Sequence, residues 1–162
     1  MTHIISVLVE NQFGVLAHVS SMFSARGYNI DSLSVGETAD PAVSRMTVVV
    51  SGDDGVLDQI VKQLHKLVEV IEVIDLTAED YVERELAMIK IAAKVKQRSD
   101  VIEISNIFRA KVVDMGADAM IIEVTGTQAK VKAFIDMMRP FGIRELVRTG
   151  RIAASRSSKH EA

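Results

Sequence analysis

Ile4 to Val9 is an apolar, largely β-branched run and reads as a buried strand. Asn11-Gln12-Phe13-Gly14 follows as a short loop. Val15, Leu16, Val19, Met22 and Phe23 then recur at helical spacing. Arg26-Gly27 closes that helix, a cation followed by a glycine suited to a left-handed cap. Ile30, Leu33 and Val35 mark a second extended run, and Glu37 to Ala42, with Asp40-Pro41, a turn. Met46 to Val50 is a third strand. Gly52-Asp53-Asp54-Gly55 breaks it and can cap the helix marked by Leu57, Ile60, Val61, Leu64 and Leu67. Val70 to Leu76 is a fourth strand.

The same grammar then restarts. Leu86 to Val95 predicts a long strand, and Val101, Ile104, Ile107 and Phe108 a helix. Lys111 to Met115 and Ala119 to Thr125 form two strands around a turn containing Gly116. Val131, Phe134, Ile135 and Met138 mark a second helix, ended by Pro140 and Gly142, before a last strand at Ile143 to Val147. The order β-α-β-β-α-β thus occurs twice, which predicts an α+β chain of two ferredoxin-like domains. The expected boundaries are 1–77 for the first domain, 78–85 for an acidic linker and 86–150 for the second domain. Residues 151–162 are expected to be a loose basic tail.

In this fold the sheet is antiparallel and both helices lie on one face. The second strand forms an edge, and a bare edge invites pairing with another chain. A domain of this size buries a limited core, so oligomerisation is a common remedy. The expectation is a homodimer joined at the edge of the first domains.

Composition narrows the function classes. The chain has 162 residues, 48% hydrophobic and 25% charged, with a net charge of −3. Its mean hydropathy of +0.21 hints at apolar surface that a partner covers. There is no cysteine, which excludes disulfides, Cys-based zinc sites and a thiol nucleophile and fits a reducing, cytoplasmic setting. No run is apolar enough to span a bilayer and no secretory leader pattern opens the sequence, so neither a membrane nor secretion is expected. The slightly acidic balance argues against nucleic acid. With aromatics at 4%, falling mostly on helices and in loops, the bases of an RNA strand would find little to stack on.

Catalytic patterns are missing too. His3, His18, His65 and His160 have no metal-ligand spacing, so no metal site is expected. There is no G-x-S-x-G elbow, no phosphate-binding loop and no dinucleotide fingerprint. The carboxylates at Asp53-Asp54, Glu79-Asp80 and Glu83/Glu85 read as cap and surface charge. No catalytic residue is nominated.

The turn from Asn11 to Leu16 is the better candidate. A helix N-terminus offers unpaired N–H groups and the positive end of a dipole, which suit a carboxylate. Gly14 would let a ligand approach the backbone, and the Asn11 amide can both donate and accept. Such a turn could hold an α-amino acid by its zwitterionic end, although Asn and Gly also serve as plain cap and turn residues. Asn29 opens the edge strand, and two chains paired there would bring it near the turn of the mate.

These segments also resemble a known family. His3 to Asn11 with Gly14-Val15-Leu16 resembles the opening of an ACT domain. Phe23-Ser24-Ala25-Arg26-Gly27-Tyr28-Asn29-Ile30-Asp31-Ser32-Leu33, Ser44-Arg45-Met46-Thr47 and Lys62 to Val68 are more specific. They resemble the small, regulatory subunits of acetolactate synthase. Arg84-Glu85, Lys90-Ile91, Ile107-Phe108-Arg109 and Gly126-Thr127 extend the match into the second half.

The resemblance implies an N-terminal ACT domain and no catalysis by this chain. It implies a large catalytic partner holding thiamine diphosphate, a divalent metal such as Mg and FAD. It further implies activation of that partner and feedback inhibition by valine, with leucine or isoleucine as competitors, in branched-chain amino acid synthesis. The implied effector site is Asn11, Gly14, Val15 and Leu16 of one chain with Asn29 and Ile30 of its dimer mate. A free-standing amino-acid sensor acting on a different partner is the alternative.

Overall fold

The computed structural model describes residues 1–157. The chain divides into two compact units. The first comprises residues 1–82 together with the described residues from Arg151 onward, and the second comprises Glu83–Gly150.

The first unit contains β1 (Thr2–Glu10), α1 (Val15–Ala25), β2 (Ile30–Glu37), β3 (Val43–Ser51), α2 (Asp54–Leu64) and β4 (Val70–Asp75). The strands form an antiparallel sheet in the order β2-β3-β1-β4, so β2 is an edge. Period-two alternation decides which residues face the helices. Ile5, Val7 and Val9 of β1 and Met46, Val48 and Val50 of β3 pack against Val15, Val19, Met22 and Phe23 of α1 and Leu57, Ile60 and Leu64 of α2. Each large side chain buried there contributes about 1.5–3 kcal/mol. The Asp53 carboxylate caps α2 by accepting from the Val56 amide at 2.9 Å. Gly27, with φ of 70°, follows the end of α1 as expected of a left-handed cap.

The opposite face of this sheet carries a second, smaller cluster of Ile4, Val49 and Leu76. It is covered by β9 (Ile152–Ser155), whose Ala153 is buried in that cluster. Here the structure departs from the sequence reading, which gave 151–162 to a loose tail. The Arg151 amide donates to Ser32 Oγ at 3.1 Å, Ser155 Oγ donates to Glu79 at 2.6 Å, and the Arg156 amide donates to Asp80 O at 2.9 Å. Small side chains let its backbone lie close to the sheet, and it pairs with β5 (Tyr81–Ala92). The remainder of the expected tail, residues 158–162 with His160, lies outside the described residues.

The expected linker 78–85 is also structured. Leu76–Ala78 is a 3-10 turn and β5 runs from Tyr81 to Ala92. Glu85, read as surface charge, is only 2% exposed and receives two hydrogen bonds from Arg148, at 2.6 and 2.8 Å. The expected end of that strand, Val95, lies instead in a 3-10 turn over Val95–Gln97.

The second unit continues with α3 (Arg98–Ile107), β6 (Lys111–Met115), β7 (Ala119–Gly126), α4 (Gln128–Met138) and β8 (Ile143–Arg148). Its sheet order is β6-β7-β5-β8, the same path as in the first unit. Ala87, Ile89 and Ile91 alternate inward on β5 and meet Val101, Val131, Phe134 and Met138 from the helices. Phe108 and Phe134 pack tilted, with ring centroids 5.2 Å apart.

Candidate functional site

The β1–α1 turn is built by the backbone. β1 ends at Glu10, whose amide donates to Glu69 O at 2.9 Å. The Asn11 amide donates to Ala42 O at 2.7 Å, which pins the start of the turn to the β2–β3 loop. Gly14 is the N-cap of α1, with φ of 88° and ψ of −10°, a conformation that costs other residues roughly 1–2 kcal/mol. No side chain among the described residues caps this helix. The His18 amide bonds back to Gly14 O at 2.9 Å, and the Val15 amide makes a long bond of 3.4 Å to Gln12 O. The amides of Leu16 and Ala17 keep no partner among the described residues, so two donors point out of the helix start. Around Gly14 nothing among the described residues lies within 4 Å of where a Cβ would stand.

Asn11 does not cap the helix, as its residue type alone would suggest. Its Nδ2 donates to Pro41 O at 2.9 Å and to Glu37 Oε1 at 3.2 Å. Both bonds use the amide nitrogen, and among the described residues Oδ1 has no partner, so it can accept from an ammonium group. Phe13 and Leu16 are exposed. Val15 is different: its side chain is buried in the core, so only its backbone belongs to the turn.

Glu69 flanks the turn. Its carboxylate meets His18 Nδ1 at 2.7 Å. A hydrogen bond from its own backbone amide, and next the bond with His18, hold its carboxyl below the usual value.

Asn29 and Ile30 lie elsewhere in the same chain. Ile30 opens β2 opposite Val50, whereas Glu37, beside Asn11, closes β2 opposite Ser44. Six positions along β3 separate these two registers, about 20 Å at strand spacing. A single chain therefore does not bring the six nominated residues together. Asn29 is exposed and donates from Nδ2 to Asp31 Oδ1 at 2.7 Å, and Ile30 packs half-buried against the core.

The profile of AHAS small subunit-like ACT domains matches residues 5–72, and that of the small subunit of acetolactate synthase matches residues 84–157. The probable acetolactate synthase small subunit of Archaeoglobus fulgidus is 54% identical over 159 residues, covering 98% of this chain and 99% of that protein. The chain belongs to the acetolactate synthase small-subunit family. The small subunit of Mycolicibacterium smegmatis is 49% identical, covering 98% of this chain and 93% of its own length. In three dimensions the crystal structure of the Thermotoga maritima acetolactate synthase small subunit superposes with a TM-score of 0.90. It is 39% identical and covers 98% of this chain and 99% of that one. The first unit of this small-subunit chain is accordingly an ACT domain.

Other expected features of the small subunit have clear positions. His3 is buried on β1 with Nε2 3.2 Å from Gly52 O, while His65 is exposed at the C-cap of α2. Among the described residues no three His, Cys, Asp or Glu side chains gather to hold a metal ion. No helix among them is long and apolar enough to cross a membrane. Arg45, which the sequence marks only as part of the Ser44–Thr47 resemblance and not as a site residue, has its guanidinium on the sheet face opposite the helices, where it donates to Ser6 Oγ at 2.7 Å. Period-two alternation places Arg45 opposite the core-facing Met46, but only the partner strand supplies the hydroxyl.

Proposed function

We propose that this chain is a regulatory subunit that assembles with a larger acetolactate synthase catalytic chain in the cytoplasm. It raises the activity of that chain and makes it sensitive to valine. Thiamine diphosphate, a divalent metal and FAD belong to the partner, and this chain contributes no reacting group.

The observation that carries the reading is the open start of α1 at Gly14, with unpaired Leu16 and Ala17 amides and no side-chain cap. The valine carboxylate binds those amides at the positive helix end. Its ammonium group donates to Asn11 Oδ1. Leu16 takes part of the branched side chain.

The site is completed by a second copy. β2 is a sheet edge with half-exposed Val35 on its core-facing side. Antiparallel pairing of two β2 strands sets the start of one beside the end of the other. Asn29 and Ile30 of the mate then approach Glu37 and Asn11, covering the 20 Å that separates them within one chain. Valine bridging two chains biases one arrangement of the dimer, and linkage requires that the catalytic chain change valine affinity by the same factor.

The deciding experiment is Gly14→Asp, assayed for valine inhibition and for activation of the catalytic chain. An aspartate there adds a negative charge and bulk beside the carboxylate pocket. Valine inhibition should be lost while activation is kept. Retained valine inhibition would remove this turn from the site.

A further inference from the structure

The face of the first unit's sheet that is turned away from the helices holds a cavity of about 350 Å³. Ser6, Arg45, Ile74 and Leu76 line it, and Ala153 and Ser155 of β9 close one side. This is near the lower end of the range for small-molecule sites, roughly 300–1,000 Å³. We infer that this cavity binds a small aliphatic carboxylic acid, separately from the α1 turn.

Arg45 supplies the charge. Its Nη1 donates to Ser6 Oγ at 2.7 Å, and it makes no ion pair with a carboxylate among the described residues. The Nε–Nη2 edge of the guanidinium is left as a planar fork that matches a carboxylate. Ser6 is 2% exposed and accepts from Arg45, so its own O–H is available to donate to a second oxygen. A buried hydroxyl fixed to an arginine is a preset anion cradle.

The other walls set the class of ligand. Ile74, Leu76 and Ala153 are apolar and suit a short hydrocarbon body. The Ser155 hydroxyl already donates to Glu79 Oε2 at 2.6 Å, so it contributes wall rather than a donor. One cation with one free hydroxyl balances a monoanion better than a phosphate dianion. Among the described residues no carboxylate lines the cavity to take an ammonium group. The site therefore prefers an acid without an α-amino group, which separates it from the turn at Gly14.

Binding is tested on the full chain with three probes: isovalerate, valine and inorganic phosphate. Calorimetry gives affinity, and amide chemical shifts give location. Isovalerate should saturate and move the amides of Ser6, Arg45, Ile74 and Ala153. Arg45→Leu should weaken it about tenfold or more, the scale expected for losing a charge-assisted hydrogen bond. Ser6→Ala should weaken it severalfold as an independent check, with circular dichroism confirming that both variants fold. Gly14→Asp should leave isovalerate binding unchanged whatever it does to valine, so failure of the turn site and failure of this cavity are read separately. Isovalerate binding that survives both cavity substitutions overturns the assignment. So does absence of saturable binding at millimolar isovalerate, or phosphate binding to Arg45 where isovalerate does not bind.

Discussion

The two units follow one path, β2-β3-β1-β4 and β6-β7-β5-β8, yet their first strand-to-helix turns are built for different ends. In the first unit the turn is held from outside, by Ala42 and Pro41, and its helix start stays open at Gly14. In the second unit the corresponding segment folds into the 3-10 turn Val95–Gln97. Arg98 then fastens it by donating from Nη2 to Gly116 O at 2.8 Å and Ala117 O at 2.7 Å. The carbonyls of a hairpin take up the cation there, and no left-handed glycine opens the backbone. Neither helix start carries a side-chain cap among the described residues, so the two loops differ in how they are held: by Ala42 and Pro41 in the first unit, by the 3-10 turn and Arg98 in the second.

The sheet faces away from the helices diverge as well. Ile4 and Val49 in the first unit lie under β9, whereas Met88 and Val147 in the second are about 40% and 45% exposed. Topology decides where an edge and a face occur. The loop and the last strand decide whether they are available.

The largest expected effect tests whether the units are separate in energy. Phe134→Ala empties the centre of the second core and should cost about 3–5 kcal/mol. If the units are independent, denaturant unfolding monitored by residue-resolved amide signals shows loss in 83–150 first, with the Gly14 turn still native. Simultaneous loss of both units would break the comparison.

Arg148→Met comes next. It leaves the buried Glu85 carboxylate without its bidentate partner, and the loss should be about 2–3 kcal/mol, since Arg148 itself is partly solvated. The Glu85 bond also holds Arg148 more firmly protonated, despite the opposing effect of its burial. A Glu85→Gln, Arg148→Met double variant should recover part of the loss in a chemical-denaturation cycle.

Arg98→Met sharpens the contrast between the two turns. Losing two hydrogen bonds from a charged donor should destabilise the second unit by roughly 1.5–3 kcal/mol. Amide exchange at residues 116–118 should speed up, while exchange at the Gly14 turn stays as it was. A uniform change across both turns would contradict their independence.

The smallest effect lies beside the open turn. Glu69 has a lowered carboxyl, below its ordinary value of 4.5, because its own backbone amide and then His18 bond to the ionised form. The folded state therefore binds that proton less readily than the unfolded one. Its stabilising contribution is present above the ordinary value and is lost as pH falls through the lowered one. Glu69→Gln should flatten the acid limb of a stability profile slightly, and an unchanged profile would discount the pairing.

Much of this was legible in the residues. Strands and helices with a clear period, such as Ile5-Val7-Val9 or Leu57-Ile60-Leu64, face where their spacing says they should. Features that depend on distant partners were hidden. Ile152-Ala153-Ala154-Ser155 has no internal pattern and weak strand preference, and its conformation comes from the sheet it covers. Glu85 looks like linker charge until Arg148, 63 positions away, is placed against it. The candidate turn was visible because a strand, a glycine and a helix adjoin in sequence. The inward direction of Val15 and the distance to Ile30 required the helix phase and the strand register.

The return of β9 to the first unit also orders events during synthesis. Ile4 is made 149 positions (153 − 4) before the Ala153 that covers it. A ribosome adding roughly 5–20 residues per second leaves that face uncovered for several seconds to half a minute. Meanwhile residues 83–150 can fold, and their own pairing brings the Thr149 amide to Leu86 O at 3.0 Å. The intervening chain then acts as a short loop rather than a long one, which lowers the entropy of bringing β9 home. The nascent first unit waits for its neighbour in sequence to finish before it can be completed.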